Sequence, residues 1–127
     1  MNMIIILYKI LHNVNNIMGK KRAFSNYSKS AALLLGKAIQ LGRKERKFTA
    51  QELADRAGIS RGTLASIEKG DMRCEIGLVF EVASLVGIKL FDADEVGISM
   101  SIDHINDKIA LLPKSIYPTS KVVKDDF

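Results

Sequence analysis

The stretch from Thr49 to Gly70, TAQELADRAGISRGTLASIEKG, constrains the fold more than any other part of the chain. Thr49 and Glu52, three residues apart, form the reciprocal capping pair that opens a helix. That helix turns Leu53, Ala54 and Ala57 inward and stops at Gly58, where a tight turn needs a residue tolerant of positive φ. Ser60 then caps a second short helix. Leu64 and Ile67 share its inner face, while Arg61, Thr63 and Ser66 lie on others. Lys69 in the last turn suits the helix dipole, and Gly70 ends the helix.

The spacing is the specific signal. A small residue at Ala54 is followed by the turn glycine four residues on, then by Leu64 and Ile67 ten and thirteen on. Few folds other than a helix-turn-helix ask for that set. The segment LGKAIQLGRKERKFTAQELADRAGISRGTLASIEKG, Leu35 to Gly70, resembles the Xre family of bacterial helix-turn-helix regulators. The likeness continues through residues 70–94. It implies an all-α, lambda-repressor-like bundle of about five helices that binds double-stranded DNA as a homodimer.

Charge agrees with a polyanion-binding front half. Residues 20–47 hold nine basic side chains against the single acid Glu45, whereas residues 74–127 hold nine acids against five bases. One cysteine, Cys74, rules out an internal disulfide, and with only His12 and His104 beside it there is no zinc set. Arg73 is placed to lower the thiol pKa slightly. No nucleophile sits with a plausible base and no phosphate loop is present, so the reading is not an enzyme, with no cofactor. Asp92, Asp94 and Glu95 read as capping residues for a following helix rather than metal ligands. A cytoplasmic location, without a membrane partner, is the default.

Three regions are expected: an N-terminal extension and basic arm over 1–29, the DNA-binding domain with a dimerisation strand over 30–92, and a C-terminal helix and tail over 93–127. The apolar run Met3 to Leu7 is too short to span a bilayer. Residues 1–17 read as a disordered tail, as a patch that packs on a partner, or as sequence upstream of a true start at Met18; the basic beginning MGKKR favours the last. Residues 20–30 read as an arm able to touch phosphates or a minor groove. Leu35, Ile39 and Gly42 mark the buried stripe of a helix over 31–46. Gly42 stands where the resembled family usually has leucine, and Leu41 where it is usually polar.

A fourth helix begins at Glu75 and closes at Gly87. After it, Ile88, Lys89, Leu90 and Phe91 form a β-prone run. A four-residue strand cannot satisfy its own backbone, so it reads as a ribbon paired with a second copy or as an extended linker. Ile98, Ile102, Ile105, Ile109 and Leu112 step by four and three, an a/d seam too short to hold a coiled coil alone. The tail ends in Asp125, Asp126 and Phe127, an acidic and aromatic terminus of the kind that orders on binding. The β-prone run and this ending resemble HipB-type antitoxins encoded beside HipA-like kinases, which implies Ile88, Leu90 and Phe91 for dimerisation, and Asp125, Asp126 and Phe127 for a kinase toxin partner.

Carried onto this chain, the Xre pattern places Arg61, Gly62 and Ser66 at base-reaching positions of the second motif helix. Ser60, Thr63 and Lys69 are phosphate candidates, and Arg43 and Lys44 lie near the DNA backbone. The family's usual glutamine at the start of the first motif helix is Ala50 here, with Gln51 beside it as a substitute contact. The function implied is a sequence-specific repressor on a palindromic operator, the autoregulating antitoxin of a HipA-like operon. Two alternatives remain: an orphan Xre-type regulator, and a protein-interaction module that has lost DNA reading.

Overall fold

The computed structural model describes residues 2–8 and 22–119. Residues 3–8 are helical with exposed side chains. Five α-helices follow: α1 (Asn26–Glu45), α2 (Ala50–Ala57), α3 (Arg61–Glu68), α4 (Ile76–Leu85) and α5 (Glu95–Ala110). The chain divides into two compact units, residues 1–88 and 89–127.

The first unit is the helical bundle. Ser25 caps α1 by accepting from the Ser28 amide, so this helix starts five residues earlier than its apolar stripe alone indicates. Thr49 and Glu52 form the reciprocal capping box of α2, at 3.1 and 2.9 Å. Gly58 ends α2 at φ 67°, and the Ile59 amide donates back to the Ala54 carbonyl at 3.0 Å. Ser60 accepts from the Thr63 amide at 3.0 Å and opens α3. Two capped helices on either side of one left-handed residue thus fix the motif locally.

The core lies where the four helices meet. Ile39 of α1, Leu53 and Ala54 of α2, Leu64 and Ile67 of α3, and Val82, Ala83 and Val86 of the α4 region are buried. α3 packs on both α1 and α2, and α4 packs on α2. Gly36 allows the closest approach of α1 to α3, since a Cβ there would sit 2.6 Å from the Ile67 carbonyl oxygen. Gly42 makes room in the same way for Val86, leaving Leu41 59% exposed. The exchange of leucine and glycine noted in the sequence therefore serves an inward face packed on Val86 and puts a leucine on the surface.

One polar interaction ties this core together. The Arg43 Nε donates to Glu68 Oε1 at 2.6 Å, its Nη2 to Glu68 Oε2 at 3.2 Å, and its Nη1 to the Phe48 carbonyl at 3.1 Å. Both side chains are largely buried, 12% and 10% exposed. Glu68 closes α3, where its charge opposes the helix dipole, so the bidentate arginine stabilises a carboxylate that would otherwise be unfavourable there.

The second unit begins differently from expectation. No strand forms over Ile88–Phe91, nor elsewhere among the described residues. Leu90–Asp92 instead makes a 3-10 turn, closed by the Asp92 amide on the Lys89 carbonyl and the Ala93 amide on the Leu90 carbonyl. Phe91 and Asp92 take φ of 57° and 52°, left-handed values incompatible with an extended ribbon. Asp94 then caps α5 by accepting from the Gly97 amide at 2.8 Å. α5 buries none of its residues.

Replacing Arg43 with methionine strands Glu68 in the core and is expected to cost about 3 kcal/mol. On a domain of this size that lowers the melting temperature by roughly 10–20 °C. The double variant R43M/E68L should recover most of the loss, because no charge is then left uncompensated. Thermal denaturation followed by circular dichroism reads both.

Candidate nucleic-acid interface

α3 carries the positions that the sequence pattern marks as base-reaching. Arg61 is its first residue, exposed, and makes no hydrogen bond or ion pair with any described residue. Gly62 follows with only Ser60 Oγ near its open side, at 3.9 Å from a hypothetical Cβ. That gap lets another molecule approach the α3 backbone closely. Ser66 is half-buried one turn further along, and Lys69 is the exposed C-cap.

Other expected contact residues are occupied. The hydroxyls of Ser60 and Thr63 lie 2.9 Å apart, and Ser60 also holds the cap, so each serves the start of α3. The Gln51 amide donates to Asp55 Oδ1 at 2.8 Å along α2, and reaching outward as a substitute for the missing glutamine would break that bond. Arg43 does not belong to the surface at all. It is committed to Glu68 and Phe48, because a buried carboxylate at a helix end recruits the nearest guanidinium. Lys44 is exposed on α1, and Lys47 is exposed just past its end. Arg46 lies across Gly87, so close that a Cβ at that glycine would collide with the guanidinium. Arg56 stacks over the Phe48 ring at 4.4 Å.

Arg73 is a residue that motif reasoning missed. It is 89% exposed, yet held in place: its Nε and Nη2 donate to the two Asp71 carboxylate oxygens at 3.1 and 2.9 Å. Asp71 in turn is anchored to α3 through its amide, which donates to the Ser66 carbonyl at 3.1 Å. The result is a cation presented beside a polar groove of about 370 Å³ lined by Thr63, Ser66, Asp71, Arg73, Cys74 and Glu75. The DMR sequence after Gly70 carried the signal, since an aspartate two residues before an arginine forms this local fork. Burial pushes the Cys74 thiol pKa up, Asp71 adds to the rise, and Arg73 opposes it, so the lowering expected from Arg73 does not prevail. Cys74 is a neutral wall of the groove.

Among the described residues no group of histidine, cysteine and carboxylate side chains could hold a metal ion. No described helix is long and apolar enough to cross a membrane. The expected partner residues Asp125, Asp126 and Phe127, and the basic arm before Arg22, lie outside the described residues.

The hydrogen bonds from Arg73 pull the Asp71 carboxyl down to about 2, from an ordinary value near 4. A depressed carboxylate contributes its stabilisation above the unfolded pKa and loses it as the pH falls through the folded one. The Asp71–Arg73 fork should therefore stay intact down to about pH 3 and open near pH 2. Carboxyl-carbon NMR titration is expected to give that midpoint for Asp71, returning toward 4 in Arg73→Ala.

Residues 39–92 match a family model described as a helix-turn-helix. The match spans the capped pair α2 and α3, and in that segment the chain is similar to helix-turn-helix domains. No curated protein matches the chain.

Proposed function

We propose that the protein is a homodimeric, sequence-specific repressor that binds a palindromic operator with one α3 in the major groove of each half-site. The observation that carries this reading is Arg61, exposed and unpaired among the described residues at the start of the helix that the motif offers to DNA. A free guanidinium there is suited to the O6 and N7 edge of guanine, a contact worth about 1–3 kcal/mol of discrimination. Gly62 brings the backbone close, and Ser66 is the remaining side chain at a base-reaching position. Lys44, Lys47, Lys69 and Arg73 are further exposed cations of the bundle, suited to phosphates. Ser60 and Thr63 contribute by holding the N-terminus of α3 rather than by free hydroxyls.

The wider role is that of an autoregulating antitoxin working in the cytoplasm beside a HipA-like kinase. Its support is the sequence alone: the Xre pattern together with the acidic and aromatic ending Asp125-Asp126-Phe127. The domain plan of arm, DNA-binding domain and C-terminal partner segment belongs to the same reading. Ile88, Leu90 and Phe91 stay candidates for the dimer contact through the exposed Phe91 ring, 84% accessible, and not as a strand. The orphan regulator shares the DNA interface and differs only in lacking the kinase. The module without DNA reading draws on Ala50, on the engaged Gln51 and on Gly62, none of which reads a base.

Arg61→Ala tests the assignment. Its affinity for the preferred operator should drop about 5- to 150-fold while its affinity for random duplex changes little. An unchanged footprint and an unchanged ratio of specific to random binding in that variant would remove Arg61 from base reading.

A further inference from the structure

The loop between α3 and α4 leaves the bundle on a firm mount. Gly70 turns it at φ 74° and passes so close to α1 that a Cβ there would lie 2.7 Å from Leu33 Cα. The Asp71 amide donates to the Ser66 carbonyl at 3.1 Å, and the Asp71 carbonyl accepts from the Cys74 amide at 3.3 Å. Asp71 is thus tied through its backbone to the end of α3 and to its own loop. Its carboxylate accepts three further bonds, all from Arg73: the amide at 2.9 Å and Nε at 3.1 Å on Oδ1, and Nη2 at 2.9 Å on Oδ2. A single exposed ion pair orders little. Three bonds onto one anchored carboxylate set the plane of this guanidinium.

Arg73 alone of the exposed cations is ion-paired among the described residues. Its side chain uses Nε and Nη2 on Asp71, and Nη1 makes no hydrogen bond with a described residue. It lines one groove together with Thr63 and Ser66 of α3, and Glu75 adds a second carboxylate there. Two carboxylates against one guanidinium do not attract a polyanion by charge alone. A phosphate gains at this place only by meeting the open edge of Arg73 in the right direction.

We propose that Asp71 is a specificity-determining residue that acts through Arg73, cancelling its charge toward DNA in any register while holding its open edge for one phosphate of the correctly docked duplex. The inference rests on the DNA reading proposed above. Non-specific affinity comes from phosphates neutralised without regard to geometry, so a cation already paired adds little to it. A held edge adds to the docked complex alone, where register brings a phosphate into line with it. Asp71 therefore widens the gap between specific and random binding.

The full chain is compared with Asp71→Asn and with the charge-conserving Asp71→Asn/Arg73→Gln, each first checked for a native melting curve. Fluorescence anisotropy is read on DNA from immediately upstream of the gene and on random duplex, across a range of salt. Asp71→Asn should bind random duplex about 5-fold more tightly at about 0.15 M salt, with a log–log salt slope steeper by about 0.9. Its ratio of upstream to random binding should shrink accordingly. The double variant should return to the shallower salt slope, because its net charge does, and should lose about 10-fold in affinity for the upstream DNA. An Asp71→Asn chain with wild-type random affinity and salt slope would overturn the proposal, and so would a double variant with wild-type affinity for the upstream DNA. A wild-type chain that binds both duplexes alike would remove the DNA reading and the proposal with it, a failure distinct from the other two.

Discussion

The bidentate pair of Arg43 and Glu68 is the interaction on which the position of α3 depends. Arg43 leaves the end of α1, reaches the carboxylate that closes α3, and holds the Phe48 carbonyl in the connection to α2. Three elements are thereby fixed by one planar, five-donor side chain, which lysine could not reproduce. Buried ion pairs contribute little net stability compared with apolar residues of the same shape. What this one supplies is geometry: the C-terminal end of α3 cannot shift without separating the two charges. Gly36, two turns earlier on the same helix, serves the same end by letting α1 approach the Ile67 and Glu68 carbonyls.

A second organising constraint is that the surface of α3 divides its polar groups between self and partner. Ser60 and Thr63 satisfy the helix start, and Gln51 is bonded along α2. Arg61 is left free at the same end, and Arg73 is held out from the following loop by Asp71. In the proposed reading an unpaired guanidinium beside a held cation divides the labour, since phosphate contacts set register and base contacts set sequence.

Much of this was legible in the residues. Thr49 with Glu52, Gly58 and Ser60 are local signals whose chemistry is complete within a few positions, and the structure shows each in that role. The buried set Leu53, Ala54, Leu64 and Ile67 follows from helical spacing. The misses have two causes, a partner distant in sequence and a local backbone that side-chain propensity does not encode. Arg43 is one of several basic residues at the end of α1, and only the folded chain shows that Glu68, twenty-five positions on, claims it. The run Ile88–Phe91 has β-prone side chains, yet left-handed backbone at Phe91 and Asp92 turns it, and propensity carries no information on that.

The central claim is that this helix-turn-helix reads sequence and does not merely attract polyanions. Fluorescence anisotropy on DNA from immediately upstream of the gene, set against random duplex across a range of salt, tests it most directly. The account predicts two copies on one two-fold-symmetric site, a steep salt dependence on both duplexes, and a specific-to-random ratio of about 10³ or more. Equal, weak binding to the two duplexes at every salt concentration would contradict it, and would reduce the basic half of the chain to a non-specific electrostatic surface.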